Sequence, residues 1–241
     1  MADPTSLAGM YLRIILECEE EGVPPLSARI AERVGRSAPT VHHGIDRLKQ
    51  QRLITVDERR RLVLSRTGRP RAVAVMRRHR LAELWLIRVL GVPYGQAHHE
   101  ADRLQQALSD RVERAILRRL GGPARSPYGN VIPGLQQIGG DPASRRRIRG
   151  ETSLDGAGRA GVVALTRVSE WAQGRTGLLA ELFAAGIRVG CGLTVCRKGD
   201  EVVLGGSEGE VRLPRLVARG LFVTPRLDEA REVPLAPVVS L

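Results

Sequence analysis

Residues 25–64 constrain the fold most, because two short helical patterns separated by a tight turn precede two short β-type runs. The first helical pattern covers residues 25–35 and stops at a glycine. The second covers residues 37–51, with a capping serine at its start and Pro39 tolerated in its first turn. A polar hairpin then joins the β-type runs within residues 53–64. Helix, tight turn, helix and hairpin together predict a winged helix-turn-helix.

The same segment concentrates positive charge. Residues 22–71 hold 12 Arg or Lys against four Asp or Glu, whereas residues 1–21 hold one Arg against five acids. A basic excess of this kind indicates double-stranded DNA as a partner, although a GC-rich coding bias would also favour arginine over lysine. The histidines beside Gly44 would be unusual in a core, which leaves solvent or DNA as their surroundings. The predicted DNA contacts are Arg29, Ser37, Pro39, Thr40, His42, His43, Arg47 and Arg60.

Residues 4–21 predict a helix whose apolar stripe runs from Leu7 through Tyr11 to Cys18. Cys18 is then a small core residue. Met10 lies on the flank of the stripe, where packing is the ordinary role and a soft metal ligand is the alternative.

Two helices that flank the turn at residues 91–95 carry polar side chains at helical spacing. Imidazole and carboxylate groups that converge between packed helices suit a divalent metal such as iron(II) or manganese(II). A His and a Glu four residues apart are more often a solvated helix face, so spacing alone is weak support. The residues are His79 and Glu83 on the first helix, and His98, Asp102, Gln105 and Gln106 on the second.

Residues 95–120 predict one long helix with an apolar stripe from Ala97 to Leu120. Such a stripe must pack on its own chain or on a second copy, and a palindromic DNA site would require the second copy.

The C-terminal third changes to short β runs with glycine turns and one helix over residues 178–185, which predicts an SH3-like small β-barrel. Cys191 and Cys196 should lie on opposite faces of one strand. The predicted fold is multidomain α+β. Its parts are a DNA-binding domain (1–73), a helical dimerisation and metal-binding domain (74–140), a solvated linker (141–150, with Arg145, Arg146, Arg147 and Arg149), the SH3-like domain (151–224) and a tail (225–241).

Several classes of protein are excluded. Three cysteines without a C-x-x-C spacing fit a reducing cytoplasm, and no apolar run or leader predicts a membrane span or secretion. Residues 205–209 match G-x-S-x-G, but a nucleophile elbow needs a later His and the last one is His99. The chain has no P-loop and no H-E-x-x-H, so we do not expect an enzyme.

Four segments resemble the diphtheria-toxin-repressor (DtxR) and iron-dependent-regulator (IdeR) family of metal-dependent transcriptional regulators. They are MYLRIILECEEEGVPPLSARIAERVGRSAPTV, TGRPRAVAVMRRHRLAE, SDRVERAILRRL and RSPYGNVIPGL. The resemblance covers residues 8–138 and extends more loosely to residue 224. It implies a cytoplasmic homodimer that binds inverted-repeat operators when it is loaded with Fe2+ or Mn2+, with Co2+, Ni2+ or Zn2+ as substitutes.

The resemblance also implies site residues. The family's ancillary metal site matches His79, Glu83 and His98, completed by Glu170 and Gln173 from the β domain. Its anion site matches Arg80, Ser126 and Asn130.

The primary, regulatory metal site departs from the family pattern, which is Met, Cys or Glu, Glu and His. Met10 is kept, but Asp102, Gln105 and Gln106 stand at the other three positions. Metal affinity there should fall sharply because charge and basicity are lost. His99 and Glu100 stay open as replacement ligands.

The recognition helix also departs from the family pattern, because His43 stands where the family has Gln. The operator sequence of the family is therefore not carried over.

The expected function is a metal-responsive regulator, most simply a repressor, with an altered primary site. One alternative is a metal-independent regulator whose remaining metal site is structural. Another is a ligand sensor with an apolar pocket where the primary ligands once met.

Overall fold

A 21-residue helix, α4 (Gly68–Arg88), passes from one hydrophobic core into the next. Ala72 and Met76 belong to the core of the N-terminal domain, whereas Leu81 and Leu84 belong to the core of the helical domain. The computed structural model describes residues 7–141, 148–157 and 160–225. Since α4 contributes to both cores, it fixes how the first two domains are joined.

The N-terminal domain is the predicted winged helix. Its elements are α1 (Leu7–Glu21), α2 (Ser27–Val34), α3 (Ala38–Gln50), β1 (Ile54–Val56) and β2 (Leu62–Leu64). Gly35 ends α2 in the left-handed conformation with φ of 64°, and Pro39 lies in the first turn of α3. The two strands pair antiparallel, with Ile54 opposite Leu64. The helix-turn-helix and the wing hairpin are therefore confirmed.

Helix α1 follows its predicted stripe with one exception. Tyr11, Ile14 and Cys18 are buried, as predicted. Leu7 is 51% exposed because it opens the first turn of α1 and projects beyond the core.

The predicted continuous helix over residues 95–120 is wrong. Helix α5 (Ala97–Leu104) ends before Gln105, and α6 (Asp110–Arg119) begins after Ser109, whose Oγ accepts a hydrogen bond from Val112 N at 3.3 Å. A serine cap of this kind starts a new helix. The apolar stripe breaks there too, because α6 buries Ile116 and Leu117 and leaves Val112 43% exposed.

After α6, a connector that includes the 3-10 helix Leu135–Ile138 leads into a third domain. Its elements are β3 (Thr152–Ser153), β4 (Ala160–Val168), α7 (Glu170–Gln173), α8 (Leu178–Ala184), β5 (Gly192–Lys198), β6 (Glu201–Gly205), β7 (Glu210–Pro214), α9 (Arg215–Ala218) and β8 (Leu221–Thr224). These strands form one antiparallel sheet in the order β3-β8-β4-β5-β6-β7, consistent with the predicted SH3-like domain. Cys191 lies outside β5, contrary to the single strand predicted over residues 188–196.

The predicted boundary at residue 73 falls inside α4. Arg145, Arg146 and Arg147 of the predicted linker, and nearly all of the tail, lie outside the described residues. Among the described helices, none combines the length and the apolar character needed to cross a lipid bilayer.

Gly44 permits the close packing of α3 on α1, and we expect Gly44→Ala to destabilise the protein. A Cβ at this position would lie 2.1 Å from Cε2 of the buried Tyr11. Overpacking costs about 1–3 kcal/mol, and the better helix propensity of Ala offsets about 1 kcal/mol. We predict a net loss of about 1–2 kcal/mol in the free energy of unfolding, measured by urea denaturation. Gln50→Ala, at an exposed position of the same helix, is the control. Unchanged stability of Gly44→Ala would contradict this packing argument.

Candidate metal centre

His79 and Glu83 lie one turn apart on the same face of α4, and both are fully buried. The Nε2 atom of His79 is 2.9 Å from Oε1 of Glu83. The i, i+4 spacing of His79 and Glu83, which a solvated helix face would also show, therefore belongs to a buried site.

His98 reaches the same point from α5. Its Nδ1 atom lies 3.0 Å from Oε1 of Glu83 and 3.1 Å from Nε2 of His79. The three side chains offer ligand atoms that all lie within 4.8 Å of one another. Two imidazoles and a carboxylate at this separation are suitable to hold a divalent metal.

The charge of Glu83 governs the protonation of this cluster. Burial by itself would lower the pKa of His79, but the negative charge of Glu83 and the hydrogen bonds to Asp102 and Glu83 together outweigh it and raise the pKa from 6.5 to about 9. In turn, His79 lowers the pKa of Glu83 against the effect of burial. The carboxylate is thus held ionised, as a metal ligand must be.

The β domain brings Glu170 and Gln173 to the same interface on the short helix α7, which Ser169 caps through Ala172 N. Gln173 Nε2 donates to Val168 O at 2.6 Å, which fixes the orientation of the amide. Glu170 is not a member of the three-residue cluster, because its Oε1 accepts from Arg80 Nε at 2.7 Å. Against the effect of burial, Arg80 lowers the pKa of Glu170 to about 2.

Two of the five predicted ancillary ligands carry buried oxygens that lack a hydrogen-bond partner within the described residues. They are Oε2 of Glu83 and Oε1 of Gln173. A buried polar atom without a partner is costly, and metal coordination is one way to satisfy it. The donor set therefore fits the divalent metal that the sequence predicts.

The predicted anion site is replaced by ion pairs in this structure. Arg80 is fully buried, and besides Glu170 it donates to Glu20 Oε1 at 3.2 Å and to the Val131 carbonyl. The Nδ2 atom of Asn130 donates to Val168 O at 2.6 Å, and Ser126 Oγ accepts from Tyr128 N. The donors of Arg80 and Asn130 are thus engaged by oxygens of the protein itself, and Glu20 and Glu170 supply the negative charge beside Arg80.

The primary-site residues do not form a common set of free ligands. Gln105 and Gln106 lie in the turn after α5, and Gln106 is exposed. Asp102 is half-buried, and its Oδ1 accepts a hydrogen bond of 2.6 Å from Arg13 Nη1. Met10 is half-buried and packs against the core of the N-terminal domain. The prediction that all four polar residues of the second helix share one face is therefore wrong, because that helix ends at Leu104.

A cavity of about 350 Å3 opens beside Met10 and Asp102. Its lining includes Arg13, Glu17 and Arg33 as well as His99, so it is mainly charged. The ligand-sensor alternative required an apolar pocket at this place, and the cavity does not have that character. In this structure Glu100 pairs with Arg103 at 3.0 Å.

The predicted DNA surface is largely exposed. On α3 and the turn before it, the side chains of Ser37, Pro39, Thr40, His42, His43 and Arg47 all face solvent, as does Arg60 in the wing. The Ser37 hydroxyl bonds to that of Thr40 at 2.9 Å and makes no capping bond to the backbone. Arg29 differs from the others, because it is half-buried on α2 with its Nε atom enclosed.

Sequence reasoning missed Arg13 and Glu20, which both lie on α1. Their partners are 89 and 60 residues away in the chain, so no local pattern marks them. A signal was available for Arg13, since it interrupts an apolar run between Leu12 and Ile14 and must find a partner if that face is buried.

The raised pKa of His79 predicts that metal binding depends on pH. At neutral pH the metal-free protein holds a proton on His79, and a metal must displace it. Apparent affinity for Mn2+ should therefore rise between pH 7 and about 9, by up to about tenfold per unit. Titration calorimetry in buffers of different ionisation enthalpy should show release of about one proton at pH 7.5. His43→Ala, which removes an exposed histidine, should leave that release unchanged, and an affinity that is flat across this range would refute the assignment.

The same shift affects the metal-free fold. Because the folded pKa of about 9 lies above the unfolded value of 6.5, protonated His79 contributes stability that is fully present below pH 6.5. This contribution is lost as the pH rises through about 9.

Comparison with known proteins identifies the domains. Residues 5–62 match the family described as "Iron dependent repressor, N-terminal DNA binding domain". Residues 65–134 match "Iron dependent repressor, metal binding and dimerisation domain".

Individual relatives cover nearly the whole chain. It is 40% identical over 220 residues to the iron-dependent repressor IdeR of Mycobacterium tuberculosis, which is 89% of this chain and 95% of that protein. It is 38% identical over 214 residues to the diphtheria toxin repressor of Corynebacterium diphtheriae, 88% of this chain and 94% of that one. A solved manganese-dependent transcriptional repressor in complex with manganese aligns with a TM-score of 0.74 and 28% identity, over 91% of this chain and 100% of that chain. The chain belongs to the iron-dependent repressor family, together with IdeR and the diphtheria toxin repressor.

Proposed function

We propose that this protein is a metal-responsive transcriptional regulator, acting as a repressor, that binds DNA through its winged helix and senses Fe2+ or Mn2+ at its buried ancillary site. One observation carries the proposal: His79 and Glu83, which form a cluster with His98 of α5, lie on α4, the helix that also forms part of the winged-helix core. The relatives with this domain arrangement are named iron-dependent repressors.

Residues His79, Glu83 and His98 would hold the metal, with Gln173 Oε1 as a ligand from the β domain. Glu170 would become a ligand only if its carboxylate turned away from Arg80. When bound, the metal supplies a positive charge that satisfies these buried donors. The protein's own part is to bring three helices from two domains to one point, since the ligands come from α4 and α5 of the helical domain and from α7 of the β domain. Metal and DNA binding are coupled if the metal binds the DNA-competent arrangement of the domains more tightly than other arrangements.

On the DNA side, the exposed face of α3 would enter the major groove. Thr40, His42 and His43 are placed to contact base edges, and Arg47 and the wing residue Arg60 to contact phosphates. The proposed assembly is a homodimer on an inverted repeat, which fits the match to a dimerisation domain. Because its proposed target is DNA, the proposed location of the protein is the cytoplasm.

The test is DNA binding to a library of inverted repeats at fixed salt, with Mn2+, Fe2+ or a chelator present. Salt must be fixed because phosphate contacts make affinity strongly salt-dependent. Metal should raise affinity at least about tenfold, a coupling of about 1.4 kcal/mol. Glu83→Gln, which keeps the side chain's size and removes its charge, should abolish the increase. Equal affinity in chelator would favour the alternative of a metal-independent regulator, and no DNA binding in either condition would reject both.

A second experiment locates the DNA surface. Arg47→Ala should weaken binding to all sequences and lower the slope of log affinity against log salt by about 1, because one phosphate contact is lost. The matched control is Arg212→Ala, an exposed arginine on β7 of the β domain. If both variants weaken binding equally, α3 is not the DNA-contacting helix.

A further inference from the structure

Two of the four residues at the primary-site positions contact a guanidinium. Arg13 Nη1 lies 2.6 Å from Oδ1 of Asp102 and 3.4 Å from Oε1 of Gln105. Its Nε atom lies 3.1 Å from Oε1 of Glu17. These oxygens, which a divalent cation would need as ligands, thus already converge on a buried positive charge.

The carboxylates at this point have arginine partners without a metal. Asp102 is the one carboxylate among the residues at the family's primary positions, and it pairs with Arg13. Glu17 pairs with Arg13 and Arg33. The amides of Gln105 and Gln106 are neutral. A divalent ion bound by Asp102 would compete with Arg13 for the same oxygen and would lie beside its charge.

Asp102 also reaches the ancillary site. Its Oδ1 atom lies 3.2 Å from Nδ1 of His79, an atom that also lies 2.9 Å from Nη1 of Arg13, and the other ring nitrogen of His79 faces Glu83. A metal-ligating histidine usually donates its second N–H to a carboxylate, which fixes its tautomer and its orientation. Asp102 stands where such a carboxylate is needed.

We propose that Arg13 takes the place of the primary metal, so that each protomer binds one regulatory metal, and that Asp102 links this metal through His79 to Arg13 on α1. The inference rests on the proposed function, because it concerns how metal binding is passed to the winged helix. Arg13 is a resident cation that ties α1 to α5 whether or not metal is bound. Asp102 is a positioning residue for His79 and does not ligate a metal of its own.

The first test is the metal content at saturation of the full chain, by equilibrium dialysis against Mn2+. We expect one Mn2+ per protomer. Two per protomer would overturn the proposal, because the second would occupy the positions that we assign to Arg13.

Asp102→Asn separates the two roles of this residue, and its half-exposed position makes it a mild change. We expect binding of one Mn2+ with an affinity lowered about tenfold or more, as for the loss of a carboxylate that orients a ligand. If Asp102 instead ligated a second metal, the parent protein would bind two Mn2+. The variant would then bind one Mn2+ with unchanged affinity. Unchanged affinity with one Mn2+ in both proteins would likewise overturn the role of Asp102. The matched control is Glu19→Gln, which removes a carboxylate that pairs α1 with Arg69 at 2.8 Å.

The pairing of Arg13 with Asp102 is tested without metal. In chelator, we expect Arg13→Gln and Asp102→Asn to be non-additive in thermal unfolding, so that the second change lowers Tm little once the first is made. Arg69→Gln with Glu19→Gln provides a comparison cycle for an exposed pair on the same helix. Additive effects of Arg13→Gln and Asp102→Asn would show that the two residues do not act as a pair.

These readouts need no DNA. Their failure would leave a metal-dependent DNA regulator intact, whereas a failure of metal-dependent DNA binding would leave the stoichiometry and the double-mutant cycle unchanged.

Discussion

The structure depends on the pairing of buried charge along α4. Arg77, Arg78, His79, Arg80 and Glu83 are all at most 8% exposed, although they are five charged or ionisable residues within seven positions. An unpaired buried charge costs several kcal/mol, so each of these groups must find a partner from outside its own helix or on the next turn. A helix of this kind cannot fold independently of its surroundings, and its charges specify where the neighbouring elements lie.

The charged residues of α4 pair with side chains on several other helices. Arg77 pairs with Glu113 of α6 at 2.6 Å, whereas Arg80 pairs with Glu20 of α1 and Glu170 of α7. His79 meets His98 of α5. The result is that all three domains contact a single stretch of α4. A metal bound there would alter the charge balance at the point where the domains meet, which is why a small ion can influence the position of a distant recognition helix.

Local signals predicted the elements whose determinants are local. The winged helix followed from a glycine stop, a proline in a first turn and a polar hairpin, and all of these lie within residues 25–64. The continuous helix predicted over residues 95–120 is wrong because the cap at Ser109 starts a new helix, although the hydrophobic periodicity runs across it. The resemblance supplied the ancillary ligands, and the structure brings His79, Glu83 and His98 together. It also suggested an anion beside Arg80, where the chain supplies carboxylates from segments 60 and 90 residues away. Pairings over such distances leave no periodic trace in one sequence.

The residues at the altered primary positions can be explained by their charges. A metal site with a thiolate or carboxylate, a second carboxylate and an imidazole carries negative charge that a divalent ion offsets. This chain has one carboxylate there, Asp102, and one buried guanidinium that faces it, Arg13. If residue 102 were neutral, Arg13 would keep Glu17 but would lose its shortest contact, and His79 Nδ1 would lose its nearby carboxylate. The aspartate is thus the one change among the three that keeps its charge, and it is also the one that contacts both a predicted metal ligand and the DNA-binding domain. Degeneration of an unused site gives no reason to keep a carboxylate at residue 102, whereas a resident cation at Arg13 requires one as its partner.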